Sequence, residues 1–321
     1  MEFLNKLRNE KVLVTGGAGF IGSNLTKKLL EYDCYVTVID DFFTGREENL
    51  PKENKKLEII KGSVTDKKLV EKVVKENAII FHLAARNIIV STKNPEDDYN
   101  VNIGGTLNIL MCARKYKVKR VVYTSSVSVY GNPKYLPINE DDNINLLSPY
   151  AVSKFSGESY CKAFYESYSI PVTILRYSNV FGPGQWVENP YCGVVAKFFE
   201  QVILSKPIQI HGDGEQTRDF TFIEDVIDAT ILASISSKAE GEVYNVGSGK
   251  ETTINELANN IIEITSSCAG IEYIDRRDID NIRRRVLNIE KIRKDLRWVP
   301  QETLKKGLQK TYKWLKDGKR V

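Results

Sequence analysis

The chain has 321 residues, a length that predicts about two domains and a full hydrophobic core. Forty-six basic residues against 42 acidic ones leave a net charge of +4, too small and too evenly spread to argue for a nucleic-acid surface. Five cysteines, never spaced as C-x-x-C, suggest neither a disulfide framework nor a zinc site and read as reduced thiols of a cytoplasmic protein.

Met1 to Lys11 lacks the apolar core of a signal peptide, and no stretch approaches the roughly 18 uninterrupted apolar residues of a membrane span. No membrane partner is therefore expected. Short β-branched runs at 12–15, 35–39, 58–60, 78–83, 120–125 and 172–176 alternate with helix-length stretches. Continuous apolar runs of this kind predict strands covered on both faces, hence an α/β protein with a doubly wound parallel sheet. After Arg176 the rhythm gives way to Gly/Pro-rich loops at 181–184 and 211–214. A smaller C-terminal α/β region is expected there, with 226–234 and 243–246 returning to the sheet. The predicted division is interleaved: 1–178, with about 222–246 returning, and then about 179–221 with 247–321.

The first strand runs directly into Gly16-Gly17-Ala18-Gly19-Phe20-Ile21-Gly22, and a helical pattern follows. Glycines at 16, 19 and 22 permit a tight turn, close approach of backbone amides to a pyrophosphate, and close packing of helix on sheet. The helix N-terminus then faces the negative charge. A second strand ends in Asp40, 24 positions after Gly16. A carboxylate there accepts both hydroxyls of an adenosine ribose and repels a 2′-phosphate, which points to a Rossmann-type site for NAD and not NADP.

Ser148 as N-cap and Pro149 in the first turn open a long helical stretch, on which Tyr150 and Lys154 share one face. A phenol is a poor base at neutral pH, but a neighbouring ammonium and a positive nicotinamide ring both favour the phenolate. Tyr150 could then exchange a proton with a sugar or alcohol hydroxyl. A Y-x-x-x-K pair alone is more often a plain helix surface. Here a strand ending in Thr124, Ser125 and Ser126 lies roughly 25 residues upstream, and ligands of open α/β sheets collect at the carboxyl ends of strands.

At this point the sequence resembles a known family, the extended short-chain dehydrogenase/reductases of the nucleotide-sugar epimerase and dehydratase type, the 4-epimerase branch most of all. The resembling motifs run in order through almost the whole chain: TGGAGFIGSNL from Thr15, IDDFFTGREENL from Ile39, FHLAA from Phe81 and NIGGTLN from Asn102. SSVSVYG from Ser125, SPYAVSK from Ser148, LRYSNVFGPGQ from Leu175, GDGEQTRDFTFIEDV from Gly212 and YNVGSG from Tyr244 follow.

The resemblance implies NAD held by Gly16, Gly19, Phe20, Ile21, Gly22, Asp40, Gly45, Ser63, Val64, Leu83, Ala84, Ala85, Thr124, Tyr150, Lys154 and Tyr177. It implies Ser126, Tyr150 and Lys154 as the catalytic group. A UDP-sugar would be held by Arg86, Ser125, Ser126, Asn179, Val194, Arg218 and Arg277, with Asn179 at the diphosphate and Arg218 as a guanidinium fork on the phosphates. It also implies a homodimer through helices at 107–115 and 157–168.

Four departures stand out. Ser63 replaces an aspartate that usually holds the adenine. Arg86 replaces a common glutamine, leaving three readings: cofactor pyrophosphate, substrate, or surface. The C-terminal R-x-G-D becomes Arg276-Arg277-Asp278-Ile279-Asp280, with Arg277 favoured as the phosphate contact. Arg285 aligns with a residue that gates sugar size, which admits an anionic sugar.

Dehydratases of the family carry T-D-E-V-Y-G and decarboxylases T-S-E-V-Y-G, whereas this chain reads Ser126-Val127-Ser128-Val129-Tyr130-Gly131. With no carboxylate for β-elimination, the expectation is NAD-dependent 4-epimerisation of a UDP-sugar through a 4-keto intermediate. The alternatives are a dehydratase or decarboxylase recruiting Glu140 or Glu188, a 4-keto-sugar reductase, and a non-catalytic NAD-binding protein. Glucose, its N-acetyl form and a uronic acid stay open as the sugar. His82, in an apolar strand, and His211, in a loop, read as structural; no metal is expected.

Overall fold

A computed structural model of the chain describes residues 6–187, 189, 192–276 and 282–318. Strands β1 (Lys11–Thr15), β2 (Tyr35–Asp40), β3 (Leu57–Lys61), β4 (Ile79–His82), β5 (Arg120–Ser126) and β6 (Val172–Tyr177) form the first half of the chain. Between them run α1 (Phe20–Glu31), α2 (Lys67–Lys75), α3 (Ile88–Lys93), α4 (Pro95–Asp98), a π-helical turn Tyr99–Gly105, α5 (Thr106–Tyr116) and α6 (Pro149–Tyr168).

The second half adds β7 (Asn179–Phe181), α7 (Val194–Ile203), β8 (Ile208–His211), β9 (Thr217–Arg218), β10 (Phe220–Phe222), α8 (Ile223–Ile235) and β11 (Val243–Val246). Then come β12 (Thr252–Thr253), α9 (Ile254–Thr265), β13 (Ile271–Ile274), α10 (Glu290–Leu296) and α11 (Leu304–Asp317).

Seven parallel strands form one sheet in the order β11-β6-β5-β4-β1-β2-β3. Alternation along each strand divides its side chains between two layers. Val12, Val14, Phe81, Val122 and Leu175 join one cluster, which includes Leu25 and Leu29 of α1. Leu13, Ile80, Val121, Tyr123 and Ile174 join the other, with Val70 and Val74 of α2, Leu110 of α5 and Phe164 of α6. The strand order reverses between β1 and β4, so a crevice opens at their carboxyl ends.

Residues 243–246 do return to the sheet as edge strand β11, paired with β6. The expectation for 226–234 is corrected: this run lies within α8. Nine α8 residues are buried, among them Val226, Ile227, Thr230, Ile231 and Ser234. A helix enclosed on nearly every side loses its 3.6-residue periodicity and imitates the apolar run of a buried strand. The smaller layer consists of two-stranded pairs β7–β10, β8–β13 and β9–β12 with α7, α9 and α11. Its Phe199, Ile210, Leu257 and Leu308 belong to the same cluster as Val12 and Val14, so one core underlies both layers.

Helix α6 is capped by Ser148, whose side chain accepts from Ala151 N, with Pro149 at the first position. It crosses β5 closely at Gly157, where an added Cβ would lie 2.1 Å from the Tyr123 hydroxyl. That hydroxyl donates to Lys154 O at 3.1 Å. Substituting Gly157→Ala is expected to lift the helix and cost about 1–3 kcal/mol of stability, read as a lower unfolding midpoint in a thermal melt.

Candidate active site

The loop after β1 turns on Gly16, which holds φ +68. A Cβ at Gly16 would sit 2.9 Å from the Ala84 backbone, and one at Gly22 would sit 2.1 Å from Gly16 O. Gly19 caps α1 without a side-chain bond, and no acidic residue occupies the first turn. Unsatisfied amides and the helix dipole therefore face the groove that Gly19, Phe20, Ile21 and Gly22 line.

That groove encloses about 440 Å³ and runs along the carboxyl ends of the strands. Fifteen of the expected cofactor residues line it: Gly16, Gly19, Phe20, Ile21, Gly22, Asp40, Ser63, Val64, Leu83, Ala84, Ala85, Thr124, Tyr150, Lys154 and Tyr177. Gly45 does not. It supports the wall from behind, where a Cβ would stand 2.8 Å from Asp40 Oδ1 and 3.0 Å from Ala18. Asp41 and Thr44, within the motif that begins at Ile39, line the groove as well, as does Val101, which belongs to none of the quoted motifs.

Asp40 is buried, and its oxygens already accept backbone amides: Oδ2 from Ala18 N and Oδ1 from Phe42 N, both at 2.8 Å. Burial pushes its pKa up and the two amides oppose the shift. The carboxylate thus fixes the glycine loop as well as facing the groove. Ser63 Oγ accepts from Thr65 N at 3.2 Å and from Thr65 Oγ1 at 2.9 Å, so it turns to its own loop.

At the far end of the groove Ser126, Tyr150 and Lys154 share one stretch of wall. Ser126 Oγ is itself oriented by Ser128, accepting from its amide and donating to its hydroxyl at 3.1 Å each. Burial pushes the Tyr150 phenol up to about 12; the Ser126 bond lowers it and the Asp98 charge raises it. Lys154 is buried and pulled down to about 8, against the opposing charges of Glu158 and Asp98. Its ammonium lies 4.7 Å over the Tyr123 ring. Burial is the largest influence on both groups, raising the Tyr150 pKa and lowering that of Lys154.

Ser125 lines the same groove, but its hydroxyl donates inward to Glu158. It shares the Tyr123 face of β5, which α6 covers, while Thr124 and Ser126 project to the other side. Glu158 pairs with Arg176 at 2.7 Å, and Arg176 also donates to the Tyr130 hydroxyl at 2.7 Å. Neither Glu158 nor Arg176 was legible as part of the site, since each reads as an ordinary charge.

A second cavity of about 300 Å³ is lined by Val194, Arg218, Ile88, Phe198, His211, Gln216 and Arg276, among others. Asn87, Asn179 and Gly193 line both spaces. Arg218 is buried, its Nη1 donating to Thr217 O and Ile282 O at 2.8 Å each. Asn179 Oδ1 is buried with no hydrogen-bond partner among the described residues, as an acceptor awaiting a ligand would be. Arg277 and Glu188 lie outside the described residues. Glu140 accepts from Asn245 N at 2.8 Å and lines neither cavity. Arg285 is buried, its amide donating to Thr217 Oγ1 at 3.3 Å, and it too lines neither.

The uncapped helix end, the glycine contacts that exclude any Cβ, and the acceptor Asp40 fit a dinucleotide pyrophosphate and ribose in the first space. The pattern of the NAD dependent epimerase/dehydratase family matches residues 12–247. A putative UDP-glucose 4-epimerase of Methanocaldococcus jannaschii is 39% identical over 97% of this chain and 100% of its own. An epimerase structure from Methanothermobacter thermautotrophicus superposes with a TM-score of 0.95 at 37% identity, covering 100% of this chain and 96% of that one. The structure of a UDP-N-acetylglucosamine 4-epimerase from Methanobrevibacter ruminantium in complex with UDP-N-acetylmuramic acid gives 0.92 at 35% identity, covering 97% and 99%.

His82 is fully buried in the wall of the site. Thr106 donates its hydroxyl proton to Asn102 O at 2.6 Å, so it accepts from His82 Nε2 at 3.0 Å, and Nδ1 accepts from Thr15 at 2.7 Å. Burial pulls this imidazole from 6.5 down to about 3. A folded-state pKa below the unfolded one means stability is full above about 6.5 and is lost as pH falls toward 3. Melts between pH 7 and pH 4 should show a shallower loss of stability, by up to one proton, in His82→Gln than in the parent chain.

Proposed function

The chain belongs to the NAD dependent epimerase/dehydratase family, and from that premise we propose that it inverts C4 of a UDP-sugar through a transient 4-keto sugar. One observation carries the choice of reaction. Among the described residues that line either cavity, the carboxylates are Asp40 and Asp41, both beside the glycine loop and away from Ser126 and Tyr150. Elimination of water calls for an acid or base at the sugar beyond the phenol, and loss of carbon dioxide calls for a uronic acid as the sugar. Reversible oxidation and reduction at one carbon calls for neither.

NAD, when bound, supplies a positively charged nicotinamide that lowers the Tyr150 pKa and a redox couple that takes electrons from C4 and gives them back. Tyr150 then removes the C4 hydroxyl proton, and its high intrinsic pKa suits it to return that proton to the ketone oxygen. Ser126, with its hydroxyl held by Ser128, bridges Tyr150 and the sugar oxygen. Lys154 contributes a buried positive charge beside both. Asn179 and Arg218 hold the diphosphate and uridine side, so the keto sugar turns about a fixed anchor and does not escape.

The names of the relatives support UDP-glucose or UDP-N-acetylglucosamine as substrate. The reading includes a homodimer through α5 and α6, where Met111, Val152, Tyr160 and Tyr168 are exposed. It also includes a cytoplasmic location, supported by free cysteines at 34, 112, 161, 192 and 268. No described helix is long and apolar enough to cross a membrane.

Purified protein incubated with UDP-sugars and no added nucleotide should convert the C4 configuration, followed by proton NMR. Mass loss in the product would establish a dehydratase or decarboxylase instead, and stoichiometric NADH consumption a reductase. Tyr150→Phe should lower turnover by roughly 10²–10⁴ with NAD still bound; near-normal activity in that variant would remove Tyr150 from its role.

A further inference from the structure

Arg86, on the loop after β4, lines the cofactor groove, where the protein's own acids hold its side chain. It bridges two carboxylates from different elements: Nη2 meets Asp41 Oδ2 at 2.8 Å and Nε meets Asp97 Oδ2 at 2.6 Å. Its guanidinium also stacks 4.2 Å from the centre of the Phe43 ring. Asp41 and Phe43 follow β2, whereas Asp97 belongs to α4. The Arg86 side chain is only 12% exposed.

The backbone beneath this bridge is fixed independently. Asn102 accepts from Arg86 N at 2.7 Å and donates to Arg86 O at 3.1 Å. The loop that carries Asp41 and Phe43 is anchored on either side, by Asp40 to Ala18 N at 2.8 Å and by Arg46 N to Ala18 O at 3.1 Å. Between those anchors Asp41 and Phe43 contact Arg86, while Phe42 packs against the core.

The bridge stands between two spaces. An outer cavity of about 530 Å³, lined by Lys67, Asn100, Gly104 and Asn108, shares Asp41, Ser63, Arg86 and Val101 with the cofactor groove. Arg86 and Asp41 are thus the wall between the Asp40 end of the groove and the outside. Ser63, which lines both spaces, accepts from Thr65 N and Thr65 Oγ1.

We propose that the Arg86 bridge to Asp41 and Asp97 is a gate over the adenosine half of NAD that sets how fast the cofactor leaves. An enzyme whose cofactor is restored in each turnover has no need of exchange, and a closed wall keeps the cofactor resident. The inference rests on NAD in the groove and is independent of which sugar is turned over. Isolated surface ion pairs contribute little. Here two charge-assisted bonds and a stacked ring act on one largely buried guanidinium, which gives the bridge its hold.

The test uses the full chain loaded with NAD, gel-filtered, and assayed for retained NAD and for the release rate after dilution. Arg86→Gln and Asp97→Asn should each release NAD roughly ten-fold faster, with the double variant no faster than Arg86→Gln, because both break one bridge. Arg86→Lys, which keeps the charge without the fork, should fall between. NAD-stripped variants should melt as the stripped parent does. Parent-like release from Arg86→Gln, or faster release only with an equal fall in the stripped melting point, would overturn the gate. A parent chain that retains no NAD would overturn the cofactor reading with it.

Discussion

The contact that everything else in the site depends on is the close crossing of α6 over β5. Ser126 belongs to the strand, Tyr150 and Lys154 to the helix, and no covalent path shorter than 23 residues joins Ser126 to Pro149, the first helical residue. Their mutual geometry is set where Gly157 lets the helix settle against Tyr123, whose hydroxyl reaches Lys154 O at 3.1 Å. Helix and strand side chains then share the Tyr123 and Phe164 cluster. Close packing of this kind tolerates little displacement, so proton transfer between groups from two elements rests on core packing as much as on the reacting side chains.

Buried electrostatics completes the arrangement. Glu158 and Asp98 flank Lys154, and each is held by partners of its own: Arg176 pairs with Glu158, while Ser153 at 2.9 Å, Asn102 at 2.6 Å and Ser91 donate to Asp98. A carboxylate removed from water is costly unless paired and hydrogen-bonded. Glu158 is paired and Asp98 is hydrogen-bonded three times, and the charges of both oppose the burial that lowers the Lys154 pKa. The π-helical turn Tyr99–Gly105 that presents Asn102 departs from regular geometry beside this cluster, as single π turns at functional positions often do.

Much of this was legible in the sequence, and for local reasons. The runs that became β1 to β6 announce themselves because parallel strands are apolar on both faces. The glycine loop and the Tyr150–Lys154 pair are legible because the chemistry demands a fixed spacing along one element. What was not legible depends on partners far along the chain. The inward turn of Ser125 follows from Glu158, 33 positions away. Arg86 is defined by Asp41, 45 positions before it. Gly45 belongs to the glycine loop's support and not to the groove, a distinction only packing makes. For α8 the difficulty is of another kind, since burial on nearly every side blurred the periodicity that distinguishes helix from strand.

The single core beneath both layers has a mechanical corollary. Val12 and Val14 under the glycine loop share one cluster with Leu257 of α9 and Leu308 of α11, so the two layers rest on a common packed base. On the proposed reading, exposing the opposite face of a planar carbonyl then falls to bond rotations within the sugar nucleotide, with the protein as the stage on which the small molecule turns.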